Sequence, residues 1–143
     1  MSENDLIKFR NILTSNGYRI TKAREATFNL LLNPEPQSIR EILSRTKGEV
    51  DRVSVYRNIE LFEKLGLVHR IYVGWKYKLE LSDQFLSHHH HLSCLRCGKV
   101  IDIADEKHIK MFIKTISKKF GFEAMRHQFE IAGLCSQCQV KQN

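Results

Sequence analysis

The chain has 143 residues, a net charge of +7 and 42% apolar content, enough for one ordinary domain or two small ones and too apolar for wholesale disorder. No apolar run approaches the ~20 residues that span a membrane, and the polar, acidic start Met1-Ser2-Glu3-Asn4-Asp5 does not fit a secretory signal, so no membrane partner and a cytoplasmic protein are expected. The basic balance points to a polyanionic partner, most often nucleic acid.

In chain order, Leu6, Phe9, Ile12 and Leu13 recur at helical spacing, and Asn16-Gly17 ends that helix. Thr21 caps a second helix whose apolar face is Ala23, Ala26, Phe28 and Leu30 to Leu32, broken by Pro34-Glu35-Pro36. Ser38-Ile39-Arg40-Glu41 is a capping box that opens a short third helix through Ile42 and Leu43. Asp51 caps a fourth, with Val55, Ile59, Phe62 and Leu65 as one core-facing stripe and Gly66 as its stop. Two strands follow, Leu67–Val73 and Lys76–Leu81, around Gly74-Trp75. This order is that of a winged helix-turn-helix, with the hairpin as the wing.

The character of the chain changes near residue 82. Six of the seven histidines and all four cysteines lie beyond it. The expected division is a winged-helix domain over 1–81, a hinge over 82–87 and a second domain over 88–143. In that second domain Lys99–Ile103 reads as a strand, and Asp105 and Glu106 favour a helix start. Ile109, Phe112, Ile113, Ile116 and Phe120 make an amphipathic helical face, and Glu123–Ala132 is expected to be one long or broken strand.

Cys94-Leu95-Arg96-Cys97 and Cys135-Ser136-Gln137-Cys138 are two C-x2-C pairs. Two such turns complete a tetrahedral sulfur site, the preferred structural environment of Zn2+. Gly98 suits a knuckle turn under the sulfurs. A reducing compartment argues against two disulfides, and a thioredoxin-like redox pair would need a βαβ context that is missing.

His88-His89-His90-His91 leads into the first pair. In an extended strand successive side chains alternate faces, so His89 and His91 share one face and His88 and His90 the other. Glu80, Asp102, Asp105 and Glu106 supply carboxylates, and His127 and His108 supply further imidazoles. Such donors suit zinc, iron(II), manganese(II) or cobalt(II) better than copper(I). A merely solvated histidine run is the alternative. His69, alone on a strand, reads as wing or core packing or a phosphate contact.

Three stretches together resemble the ferric uptake regulator family of metal-dependent transcriptional regulators: Gly17-Tyr18-Arg19-Ile20-Thr21-Lys22-Ala23-Arg24, Val53-Ser54-Val55-Tyr56-Arg57-Asn58-Ile59, and the histidine run leading to Cys94-x2-Cys97-Gly98-Lys99-Val100-Ile101. The resemblance extends over about Gly17 to Cys138. It implies an α+β chain with an N-terminal winged helix-turn-helix domain and a small C-terminal α/β dimerisation domain holding a four-cysteine zinc site. It implies that Tyr56 and Arg57 contact DNA in the major groove and that Arg19 reaches phosphates or a minor groove. Arg52 and Ser54 cluster with Tyr56 and Arg57 at the helix N-terminus, where a recognition helix meets bases. Carried over by position, the regulatory metal ligands are Glu80, His89, His91 and Asp102, and a further site uses His88, His90 and His127. The chain departs from the family pattern where Pro34-Glu35-Pro36-Gln37 stands in place of a histidine before the third helix, with Glu35 as the candidate substitute. It also lacks a carboxylate near Ile109, for which His108 or Glu106 stands in, and the histidine-rich tail of many iron-sensing members. The missing histidine counts against the peroxide-sensing branch.

The expected function is a metal-responsive, sequence-specific DNA-binding transcriptional repressor controlling metal-ion homeostasis. It would act as a homodimer on a pseudo-palindromic double-stranded operator, with structural Zn2+ and a regulatory Zn2+ or Fe2+, Mn2+ also being suited. It is not expected to be an enzyme. The alternatives are a zinc-stabilised metalloenzyme using the His/carboxylate cluster, against which stands the lack of an H-E-x-x-H motif, nucleophile elbow or phosphate loop, and a protein-interaction module.

Overall fold

The computed structural model describes residues 3–33, 35–104 and 107–140. Pro34, Asp105 and Glu106, named above as a helix breaker, a helix start and carboxylate donors, lie outside the described residues. Two compact units emerge, Met1–Ile71 with Tyr77–Leu86, and Tyr72–Lys76 with Ser87–Asn143. Among the described residues no helix is long and apolar enough to cross a membrane.

The first unit holds α1 (Glu3–Ser15), α2 (Lys22–Leu31), α3 (Ile39–Arg45), α4 (Arg52–Lys64) and the hairpin β1 (Val68–Val73) and β2 (Lys76–Leu81), whose tip groups with the second unit. The three expected caps form. Thr21 accepts from Arg24 N, Asp51 accepts from Ser54 N, and Ser38 and Glu41 complete a reciprocal capping box. Each satisfies amide donors that a helix start leaves unpaired. Gly66, at φ +66°, ends α4 in a conformation that favours glycine.

Three phenylalanines from three helices close the core. Phe9 stacks on Phe28 with centroids 4.2 Å apart and meets Phe62 edge-on at 5.2 Å. All three are fully buried, as are Leu13, Ile42, Val55 and Leu67. Burial of each such side chain contributes about 1.5–3 kcal/mol. The expected stripe on α4 faces this core through Val55, Ile59 and Phe62, with Leu65 partly buried against it.

Two features of this unit are not written in local periodicity. Gln37 and Leu79 exchange backbone hydrogen bonds of 2.9 and 2.7 Å, an isolated antiparallel bridge that docks the approach to α3 against β2. Residues 82–86, within the expected hinge, form a turn on the first unit. Phe85 N and Leu86 N donate to Ser82 O, and the Phe85 ring lies 5.1 Å from Phe28. The passage between units falls after Leu86.

The second unit is a three-stranded sheet, order β4-β3-β5, with β3 (His89–Cys94), β4 (Val100–Ala104), β5 (Glu130–Gly133), and the helices α5 (Lys107–Phe120) and α6 (Ser136–Val140). β3 is central, antiparallel to β4 and parallel to β5. The strand expected over Glu123–Ala132 is regular only at Glu130–Gly133, and this corrects the reading. A strand exists where a ladder partner exists, and β5 pairs with His91–Cys94 alone. α6 went unforeseen because five residues are too few for an apolar stripe. α5 forms as read, but none of its residues is buried: Phe112, Ile116 and Phe120 are 64%, 42% and 69% exposed.

Candidate metal centres and nucleic-acid interface

Two tight turns deliver the four sulfurs. In the first, Gly98 N donates to Cys94 O at 2.9 Å and Cys94 N to Lys99 O at 2.8 Å. The turn needs Gly98 at φ +74°, where a side chain would strain the backbone. The second pair sits on the start of α6, where Cys138 N donates to Cys135 O at 2.9 Å. Residues three apart share a helix face, so the C-x2-C spacing aims both thiols the same way.

The sulfur atoms of Cys94, Cys97, Cys135 and Cys138 all lie within 4.8 Å of one another. Cys97 and Cys135 stand 3.7 Å apart. With Zn–S bonds near 2.3 Å, the edge of a tetrahedral site is about 3.8 Å. Cys135 N points at the Cys94 sulfur at 3.3 Å. That bond, with a second from the Cys97 amide, lowers the Cys94 thiol to about 6. Burial, and then the neighbouring sulfurs, push Cys138 up to about 12. Four thiolates packed this closely, with Cys94 and Cys138 buried, repel one another unless a cation lies between them, and the four residues fit zinc in both spacing and chemistry.

β3 sorts the histidines by face, as its alternation requires. His89 and His91 lie together with ring centroids 4.7 Å apart, and Asp102 is the register partner of His91, its Oδ1 3.6 Å from Nε2. The donor atoms of His89, His91 and Asp102 lie within 4.8 Å of one another. On the other side His88 Nε2 is 2.9 Å from His127 Nε2, and the His90 ring lies 4.9 Å from His88 and 5.4 Å from His127. These three form a second compact donor set, supplied by the residue just before β3, by His90 within it and by the segment before β5. Two imidazole nitrogens at 2.9 Å suit two ligands of one ion at metal–nitrogen distances near 2.0–2.1 Å. His108 and Glu35 are exposed and belong to no donor cluster found among the described residues, so neither expected substitute is supported.

Glu80 stands on β2 of the first unit, its side chain 1% exposed and its Oε2 3.1 Å from His69 Nε2. Sequence reasoning read His69 as wing or core packing or a phosphate contact. The signal that could have found the pair is hairpin arithmetic. The two-residue turn leaves both residues four positions from their strand's turn end.

The candidate nucleic-acid interface is the exposed start of α4. Arg52, Tyr56 and Arg57 are exposed, and the Arg52 guanidinium lies 5.7 Å from the Tyr56 ring centre. Ser54 donates to Asp51 Oδ2 at 2.5 Å, so its hydroxyl already serves the cap. That bond and the Ser54 amide hold the Asp51 carboxyl below the usual carboxylate range. Arg19 is exposed before α2, its carbonyl accepting from Arg24. A positioning residue went unread. Asn58 is buried, and its Nδ2 donates to Ala23 O at 3.1 Å and Thr27 Oγ1 at 3.0 Å, fixing α4 on α2. A polar residue beside the stripe Val55–Ile59–Phe62 was the available clue. At the other end of α4, Arg70 grips Glu63 at 2.5 and 2.9 Å and ties the helix to β1.

The Ferric uptake regulator family model matches residues 15–132. The chain belongs to the Ferric uptake regulator family. It is 29% identical to the ferric uptake regulation protein of Bacillus subtilis, over 98% of each chain. It is also 29% identical to the peroxide operon regulator of the same organism, over 100% of this chain and 99% of that one. Among solved structures it is similar to the Helicobacter pylori ferric uptake regulator, described as having three functional metal binding sites, with a TM-score of 0.81 and 25% identity over 100% of this chain and 97% of that chain. As a member of the Ferric uptake regulator family the chain is a metal-responsive, DNA-binding transcriptional regulator and not an enzyme, with structural zinc and a regulatory divalent metal as its cofactors. Regulators of this family bind DNA and form dimers. The metalloenzyme and interaction-module alternatives find no support.

Proposed function

We propose that this regulator is a metal-dependent repressor whose homodimer binds a pseudo-palindromic operator, with zinc on Cys94, Cys97, Cys135 and Cys138 holding the dimer platform. Glu80, His89, His91 and Asp102 bind the sensed ion, Zn2+, Fe2+ or Mn2+, and His88, His90 and His127 form the further site. Arg52, Tyr56 and Arg57 read the operator with Ser54 beside them, and Arg19 steadies the backbone. The carrying observation is the pair of donor sets on opposite sides of one short strand, beside the sulfur cluster in the same unit.

The mechanism is a population shift. The two reading helices of a dimer must stand about one DNA turn, ~34–36 Å, or a multiple of it apart. An ion held by Glu80 of the first unit and by His89, His91 and Asp102 of the second, across a hinge after Leu86, favours one arrangement by its differential affinity for it. Zinc adds a persistent thiolate cross-link to the second unit and suits a reducing, cytoplasmic compartment.

Operator binding is measured on zinc-loaded protein with and without added Mn2+ or Fe2+. Affinity is expected to rise with metal, and Arg57→Ala should weaken binding by about 1–3 kcal/mol. Equal operator affinity with and without the ion, with zinc retained, would rule the mechanism out.

A further inference from the structure

We propose that His69 is a positioning residue for the regulatory metal, holding the Glu80 carboxylate in the orientation that reaches the ion. The inference rests on the reading of Glu80 as a ligand and adds a residue that the donor clusters do not contain. His69 is the only histidine in residues 1–87.

The geometry is that of a directed hydrogen bond. A carboxylate only accepts, so His69 donates through Nε2, 3.1 Å from Oε2. The terminal torsion of a glutamate is broad and roughly two-fold. Without a donor fixing one oxygen that torsion is less strictly set, and setting it would oppose metal binding. Tethering one oxygen on a strand neighbour sets that torsion before the ion arrives. The tether is itself held, since β1 and β2 are hydrogen-bonded neighbours. Glu80 is buried while His69 is 26% exposed, so the imidazole also compensates a carboxylate taken out of water. His69 belongs to none of the three donor clusters and acts through Glu80. Partners of this kind change metal affinity about 10–100-fold when removed.

The test is Mn2+ titration of full-length, zinc-loaded protein in a His127→Ala background, which removes the three-histidine cluster. His69→Ala is expected to weaken Mn2+ binding about 10–100-fold, with zinc content and circular dichroism unchanged. His69→Gln, whose amide N–H can reach the same oxygen, should recover most of the loss. Should His69→Ala unfold, His69→Asn, whose amide stops short of Glu80, carries the same expectation. Wild-type affinity in His69→Ala alongside impaired Glu80→Gln overturns the proposal and spares the ligand reading. Wild-type affinity in Glu80→Gln overturns both. A loss that His69→Gln does not recover, with Co2+ absorption changed as by a missing nitrogen ligand, overturns positioning in favour of direct coordination.

Discussion

The two units solve the same problem of size in different ways. The first buries three phenylalanines and a shell of aliphatics from four helices and the hairpin. The second buries Cys94, Cys138, His90, His91 and Ser93, and leaves the apolar face of α5 exposed. A unit of that size has too little interior to hold itself by hydrophobic burial. A sulfur-bound ion and a partner molecule are the two supplements available to it, and both make its stability depend on metal or protein concentration. The contrast fits the proposal that one unit senses metal while the other reads DNA. The reading helix needs a rigid, self-sufficient support, whereas a sensor benefits from a unit whose order depends on ions.

The sharpest way to break this comparison is Cys97→Ser. The second unit should lose bound zinc, dimerisation and its ordered sheet, while the first keeps its helical signal. Native mass spectrometry and amide exchange read the two separately, and exchange that rises equally in both units would dissolve the distinction. Phe28→Ala should do the reverse. It should cost about 3–5 kcal/mol in denaturant unfolding of the first unit, with zinc content at wild-type level.

Next in size is Phe112→Glu on the exposed face of α5. If that face is what the partner covers, the dimer should weaken by about 2 kcal/mol or more, roughly 30-fold in Kd, in sedimentation measurements. An unchanged dimer would move the interface elsewhere. The smallest effect is expected for Ser38→Ala at the capping box, about 1 kcal/mol, confined to the first unit. The Ser38 hydroxyl and amide hold Glu41 below its ordinary carboxylate range. Its contribution is therefore present above the unfolded value and lost as pH falls through the lowered one. The gap between wild type and Ser38→Ala should narrow in acid, and a gap independent of pH would remove the charged bond from the explanation.

What the sequence alone determined is what depends on neighbours within a turn or two. Caps at Thr21, Ser38 and Asp51, the stripe on α4, the alternating faces of the histidine run and the paired C-x2-C turns are all local, and the structure carries each of them. Tertiary structure decided the rest. Glu130–Gly133 is a strand only because β3 lies alongside, Gln37 pairs with Leu79 from a distant part of the chain, and Asn58 is useful only because α2 presents Ala23 and Thr27. His69 becomes a partner of Glu80 through the folding of the hairpin, and the apolar face of α5 is legible as a pattern while what covers it is not. The physical reason is the same in each case. Helix periodicity and capping are set by bonds a few residues long, whereas a ladder partner or a buried polar contact exists only once distant segments share a register.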